Sequence, residues 1–113
     1  MVGIKAYGGY VPRRRLPRKV ILENVSWFNG ALKAYNKGER SMCNWDEAAL
    51  TMAVEASRDC LDKTRPDDIK AIYLASTTLP FTDRQNSGVL GTALNLGQNM
   101  MTMDITSSQR AAT

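Results

Sequence analysis

The residues able to do chemistry in this 113-residue chain gather behind two apolar runs. Met100 to Ile105 reads as a short strand, followed by Thr106-Ser107-Ser108-Gln109-Arg110-Ala111-Ala112-Thr113, a tight turn and small residues suited to a helix start. A strand–turn–helix of this kind presents one side chain at the turn with backbone N–H groups around it. That geometry serves a nucleophile or an oxyanion hole. The groups available here are hydroxyls, the Gln109 amide and the Arg110 guanidinium. Thr77 and Thr78 follow the other run, Ile69 to Ser76. An amide can donate to a carbonyl but cannot form an acyl thioester, and threonine has no group that titrates near neutral pH.

Other chemistries are narrowed by composition. The chain has no histidine, so serine–histidine and cysteine–histidine catalysis within it are excluded. Its two cysteines, Cys43 and Cys60, form no recognisable disulfide framework and read as reduced thiols. Four suitable ligands for a zinc site are missing, and no metal is expected.

With 43% hydrophobic and 23% charged residues, the composition is that of a globular protein with one modest core, one domain at most. No apolar run approaches membrane-spanning length and the first ten residues carry no secretory pattern, so a cytoplasmic protein is expected. The net charge is +4, with the excess concentrated in Arg13, Arg14, Arg15, Arg18 and Lys19. A cluster of this kind suits a solvated or interface surface, a phosphate-bearing ligand or nucleic acid. Nucleic acid is disfavoured, because no aromatic residues interleave with the charges.

The elements that must hold these groups follow from periodicity. Val2 to Tyr7 alternates into Gly8-Gly9 and predicts a first strand and turn, with Tyr10-Val11-Pro12 extended. Arg18 to Val25 predicts a short helix. A longer one is expected from Asn44, where the Asn44 side chain would cap and Asp46 and Glu47 would face the positive end. Its buried face would carry Ala49, Leu50, Ala53, Val54, Ser57, Cys60 and Leu61, which makes Cys60 a packing residue. Ile69 to Ser76 predicts a strand buried on both faces. Gln85 to Leu96 predicts a helix in which Gly88 and Gly91 allow close approach and Gly97 ends the run. Ser107 or Ser108 would cap the last helix. The alternation predicts α/β layering with parallel strands, and a sheet this open needs further strands.

In order and spacing these residues resemble the N-terminal region of hydroxymethylglutaryl-CoA synthase-like proteins of the thiolase superfamily. Val2-Gly3-Ile4 with Gly8 to Arg13 resembles the family's opening strand and turn. Lys37-Gly38-Glu39-Arg40, Trp45-Asp46-Glu47 and Thr51 to Ala56 are similar to its loop and first long helix. Ile72 to Ser76 resembles the next core strand, and Asp104 to Thr113 the nucleophile turn. The resemblance covers residues 1–113 as a partial N-terminal domain, about the first third of such a subunit, and implies a thiolase-like layered α/β fold with a mostly parallel central sheet.

What it implies about chemistry is a loss. The family pattern runs Asp-x-x-x-Ala-Cys-x-Ala/Gly-Gly-Thr, which puts Gln109 at the cysteine and Ala112 at the second glycine. The family's glutamate falls on Thr77, and its histidine beyond Thr113. Ordinary hydroxymethylglutaryl-CoA synthesis is therefore not expected, because a thiolate and a carboxylate carry it. Two readings stay open, alongside a truncated subunit. One is an acyltransferase or lyase that makes or breaks a carbon–carbon bond in a coenzyme A thioester, with no covalently bound cofactor. Gln109 and Thr77 would stand at the catalytic positions, Thr78 and Arg110 near the substrate, and Arg13, Arg14 and Arg15 on coenzyme A phosphates. The other is a non-catalytic subunit that scaffolds an active partner. The resemblance also implies assembly, with the rest of its own subunit, with a second thiolase-like chain, or with a small zinc-ribbon, oligonucleotide-fold protein.

Overall fold

The computed structural model describes residues 2–62 and 64–112. It divides into two compact units, Val11–Asp46 and the combination of Met1–Tyr10 with Glu47–Thr113.

The Val11–Asp46 unit is a hairpin with a helix. Strand β1 (Arg14–Pro17) runs directly into helix α1 (Arg18–Val25), because Pro17 sits at φ −58° and ψ 130° and turns the chain into the helix. A 3₁₀ segment spans Gly30–Tyr35, its first turn capped by Asn29, whose side chain accepts from the Ala31 N–H at 3.0 Å. Gly38, at φ +80°, reverses the chain into β2 (Glu39–Met42). β1 and β2 pair antiparallel from Arg14↔Met42 to Pro17↔Glu39, and the Arg18 N–H donates to the Gly38 carbonyl at 3.0 Å.

The second unit holds the core. Helix α2 (Ala49–Leu61) and helix α3 (Asn86–Ala93) pack with the parallel pair β3 (Ala71–Ala75) and β4 (Met101–Ile105). Leu50 of α2, Leu74 of β3 and Leu90 of α3 are buried together, flanked by Ala53, Val54, Ile72, Leu79, Val89 and Leu94. Their i, i+3/i+4 spacing on α2 puts them on one stripe, as the periodicity predicts. Cys60 is half-buried and lines a small apolar cavity with Leu61, Ile72 and Leu90.

Several expectations are corrected. Val2–Tyr7 forms no strand, because no strand among the described residues pairs with it, and Val2, Ile4 and Tyr7 are exposed. Helix α2 starts five residues later than Asn44. Its N-cap is Ala48, whose N–H reaches Thr51 Oγ1 at 2.9 Å, while Glu47 accepts a hydrogen bond from the Tyr10 hydroxyl. β3 is buried on one face only: Leu74 points into the core, whereas Tyr73 is 57% exposed. Helix α3 is shorter than Gln85 to Leu96, and Asn95 rather than Gly97 ends it. Asn95 adopts φ +54°, with Leu96 N–H on the Gly91 carbonyl at 3.0 Å and Asn95 N–H on Thr92 at 3.1 Å. Those two bonds are the Schellman pattern. Of the two α3 glycines only Gly91 is needed for contact, since a Cβ there would lie 2.6 Å from Met100 Cε, while Gly88 has space.

Candidate functional site

Parallel pairing brings the C-terminal ends of β3 and β4 together. Ala75 lies opposite Ile105, and the Ser76 N–H extends the ladder to the Ile105 carbonyl at 3.1 Å. Ser76, Thr77 and Thr78 therefore leave the sheet beside Thr106, Ser107 and Ser108. Ligands of open parallel sheets bind at this end, where the loops diverge.

The chain after β4 is bent sharply. Ser107 has φ +72°, a left-handed conformation that non-glycine residues adopt at a cost of about 1–2 kcal/mol. Ser108 then caps the turn, its Oγ accepting from the Arg110 N–H at 3.1 Å and its carbonyl from the Ala111 N–H at 3.0 Å. The expected last helix is not formed among the described residues, where the chain after β4 makes bends and turns, so neither Ser107 nor Ser108 caps a helix. The turn commits two of its N–H groups to Ser108, so those two do not face a thioester carbonyl in this conformation. Gln109 is exposed, and its amide has no hydrogen-bond partner among the described residues. Thr113, aligned with the threonine of the family pattern, lies outside the described residues.

On the β3 side Ser76 does the local bonding that a strand-end threonine commonly does. Its Oγ accepts from the Thr78 N–H at 3.1 Å and lies 3.3 Å from Thr78 Oγ1. The Thr77 hydroxyl is exposed and has no partner among the described residues. Gln109 and Thr77 thus lie on the segments that leave one end of the sheet, with no hydrogen-bond partner for their polar groups among the described residues, and Thr78 and Arg110 are their chain neighbours.

Beneath this rim lies a network that reading the sequence missed. Asp104, on β4, accepts from the Asn86 N–H at 2.7 Å and Asn86 Nδ2 at 2.9 Å on one carboxylate oxygen, and from the Ser87 N–H at 2.7 Å on the other. A residue 18 positions away thereby supplies the cap that Gln85, the N-cap of α3, does not make. Burial pushes the Asp104 carboxyl upward. Hydrogen bonding from the side chains and N–H groups of Ser87 and Asn86 outweighs it, and the pKa falls from 3.8 to about 2. Ser87 Oγ is fully buried beside the carboxylate, without a hydrogen bond of ordinary geometry. Asn86, 2% exposed, also clasps the loop after β3: its Oδ1 accepts from the Phe81 N–H at 3.1 Å and its Nδ2 donates to the Phe81 carbonyl at 2.9 Å. Gln85 adds a two-way bond to Thr102 on β4, at 2.7 and 2.8 Å. The signal in the sequence was Asp104 itself, an acid inside an apolar strand.

In the other unit, Arg13, Arg14 and Arg15 are exposed. Arg15 Nη1 donates to the carbonyls of Pro12 and Arg14, so it is already engaged with its own backbone. Among the described residues no cluster of three or more Cys, Asp and Glu side chains could hold a metal, and no helix is long and apolar enough to cross a membrane.

No family model matches the chain. Among curated proteins it is similar to the hydroxymethylglutaryl-CoA synthase of Caldivirga maquilingensis, 33% identical over 109 residues, covering 92% of this chain and 31% of that protein. It is similar to that of Archaeoglobus fulgidus at 30% over 118 residues, covering 100% and 34%. The chain thus spans about a third of the length of the curated relatives it matches. Among solved structures it superposes on an OleA variant from Xanthomonas campestris with a TM-score of 0.77 and 18% identity, covering 91% of this chain and 33% of that one. A 3-oxoacyl-(acyl-carrier-protein) synthase III superposes at 0.78 and 17%, covering 93% and 32%.

Proposed function

For a chain homologous to hydroxymethylglutaryl-CoA synthases and built on their thiolase-type α/β fold, we propose a role in acyl-CoA chemistry that makes or breaks a carbon–carbon bond without a cysteine nucleophile in this segment. The observation that supports this reading is the parallel β3–β4 pair, whose C-terminal ends lead into the segments that carry Thr77 and Gln109. The groups there are amides and hydroxyls, with a guanidinium next in sequence.

Such a set suits stabilising an enolate more than accepting an acyl group. Gln109 Nε2 would donate to the thioester carbonyl. When an acyl-CoA that carries a carboxylate on its α-carbon loses carbon dioxide, the electrons of the broken bond enter that carbonyl and leave an enolate, which then takes a proton from water. This path needs neither a thiolate nor a general base, and a preorganised donor lowers its barrier. Cleavage of a β-hydroxyacyl-CoA follows the same electron path but also needs a base for the hydroxyl proton, which no residue at Thr77 or Gln109 supplies. Acting with the rest of a subunit or with a second thiolase-like chain, in the cytoplasm, is part of the proposal.

The test is acyl-CoA binding and turnover by the purified native assembly. Saturable binding with release of carbon dioxide supports the proposal, and loss of turnover in Gln109→Ala assigns the amide its role. An assembly that forms and ignores acyl-CoA would instead support the scaffolding reading, which loss of both family catalytic side chains favours.

A further inference from the structure

We propose that Asn86, held by Asp104, is a positioning residue for the candidate site: it fixes the span that carries Thr77 and Thr78 relative to the strand that leads to Gln109. This role rests on the acyl-CoA reading and adds to it the side chain that sets where the donors stand.

Asn86 and Ser87 are buried more completely than the core leucines, at 2% and 0% exposed against 4% for Leu90. Burying an amide is costly unless its hydrogen bonds are made. Asn86 makes them. Nδ2 donates to the Phe81 carbonyl and to Asp104, which uses both amide hydrogens, and Oδ1 accepts from the Phe81 N–H. Toward Phe81 the side chain exchanges the same two bonds that a paired strand residue would. An apolar side chain could fill this space, but it could not hold the loop backbone at one chosen residue.

The span so held is short. Ser76 is fixed to β4 by its N–H on the Ile105 carbonyl, and Phe81 is fixed through Asn86 to Asp104, also on β4. Only Thr77, Thr78, Leu79 and Pro80 lie between them. Leu79 packs against the apolar core, and the Pro80 ring sets its own φ. Gln109 follows the end of the same strand, five residues after Asp104. Thr77 and Gln109 therefore take their positions from one strand. Being buried, Asn86 acts on a substrate only through this span. Stabilising an enolate depends on where donors stand, and a displacement of about 1 Å can cost on the order of 100-fold in rate.

Turnover of malonyl-CoA by the native assembly tests this, with kcat and KM measured well below each variant's unfolding midpoint. Asn86→Asp keeps the size and the acceptor for the Phe81 N–H, loses both amide donors and sets a second carboxylate against Asp104. It should lower kcat by about tenfold or more and change KM less than about threefold. Adding Asp104→Asn restores an amide–carboxylate pair in the opposite sense and should bring kcat back to within about threefold of wild type. Pro80→Gly, at an exposed position, leaves the buried network intact and frees the span, so it should lower kcat by about threefold or more. Leu90→Ala, on the same helix, opens the core without touching the span and should leave kcat within about twofold. A wild type that turns over, with kcat unchanged in Asn86→Asp and Pro80→Gly or reduced as much in Leu90→Ala, would overturn the positioning role and leave the acyl-CoA reading standing. A wild-type assembly that neither binds nor decarboxylates malonyl-CoA would overturn that reading and the positioning role with it.

Discussion

Asp104 and Asn86 hold each other through two hydrogen bonds on one carboxylate oxygen, 2.7 Å from the Asn86 N–H and 2.9 Å from its Nδ2. One contact does two jobs. It caps α3 from a neighbouring strand, and it fixes the side chain that clasps Phe81. The loop carrying Thr77 and Thr78 is thereby tied to the strand that leads into Gln109.

Replacing Asp104 by Asn keeps the shape and removes the charge. Hydrogen bonds to a charged acceptor are worth about 1.5–3 kcal/mol, so Asp104→Asn should lower the unfolding free energy on the order of 2 kcal/mol at pH 7. The pH dependence has a defined sign. The folded pKa is depressed, so the carboxylate's contribution is present above the unfolded value of about 4 and is lost as pH falls toward about 2. Urea midpoints measured between pH 7 and pH 2 should fall through that window in wild type and fall less in the variant. Parallel curves would rule the role out.

Asn86→Ala removes the clasp on Phe81 and leaves buried groups of Asp104 and Phe81 with fewer partners. A destabilisation of about 2–3 kcal/mol is expected. Limited trypsin digestion gives a local readout, since Arg84 lies in the same loop. Cleavage after Arg84 should quicken more than cleavage after Arg58, which is on α2.

Gly8 passes so close to α2 that an added Cβ would lie 2.4 Å from the Cys60 nitrogen and 2.6 Å from the Ala56 carbonyl oxygen. Backbone cannot yield as a side chain can. Gly8→Ala should displace the N-terminal segment and break the bond from Gly9 N–H to Asp59, 3.0 Å in the wild type. Gly91→Ala meets the end of the Met100 side chain, with Ile72 Cδ1 at ordinary contact distance of 3.5 Å, so it should cost less. Hydrogen exchange should show faster exchange at Gly9 in the first variant alone, and the reverse order would contradict the close-packing account.

Gln109→Cys places a thiol, with an ordinary pKa near 8.5, at the exposed turn. After incubation with acetyl-CoA the native assembly should gain the mass of one acetyl group, removable by hydroxylamine. Condensation should still fail, because Thr77 cannot move a proton, and should need Thr77→Glu as well. An unmodified thiol would show that the turn does not receive acyl-CoA.

Helix α1, the body of α2 and strands β3 and β4 were legible because their signals are local. Arg18 to Val25 and the stripe through Leu50, Ala53 and Val54 repeat at helical spacing, and the run Ala71–Ala75 is a short, nearly continuous apolar stretch of strand length. The ends were less legible. Asn44 is a good cap by type, yet the chain makes a turn at Trp45 and Asp46, and Thr51 serves Ala48 instead. A cap depends on where the helix must dock, and docking is not written in four residues.

What the sequence determined by itself is the set of groups at the site and the absence of others: no histidine, a glutamine at 109, a threonine at 77, and a similarity over most of its length to part of a hydroxymethylglutaryl-CoA synthase. Tertiary structure alone decided which of those groups meet. The Asp104–Asn86–Phe81 network and the passage of Gly8 against Cys60 join residues 5 to 52 positions apart. Contacts at such separations exist only once burial has paired strands and packed helices, because the entropy of closing the intervening chain must first be offset.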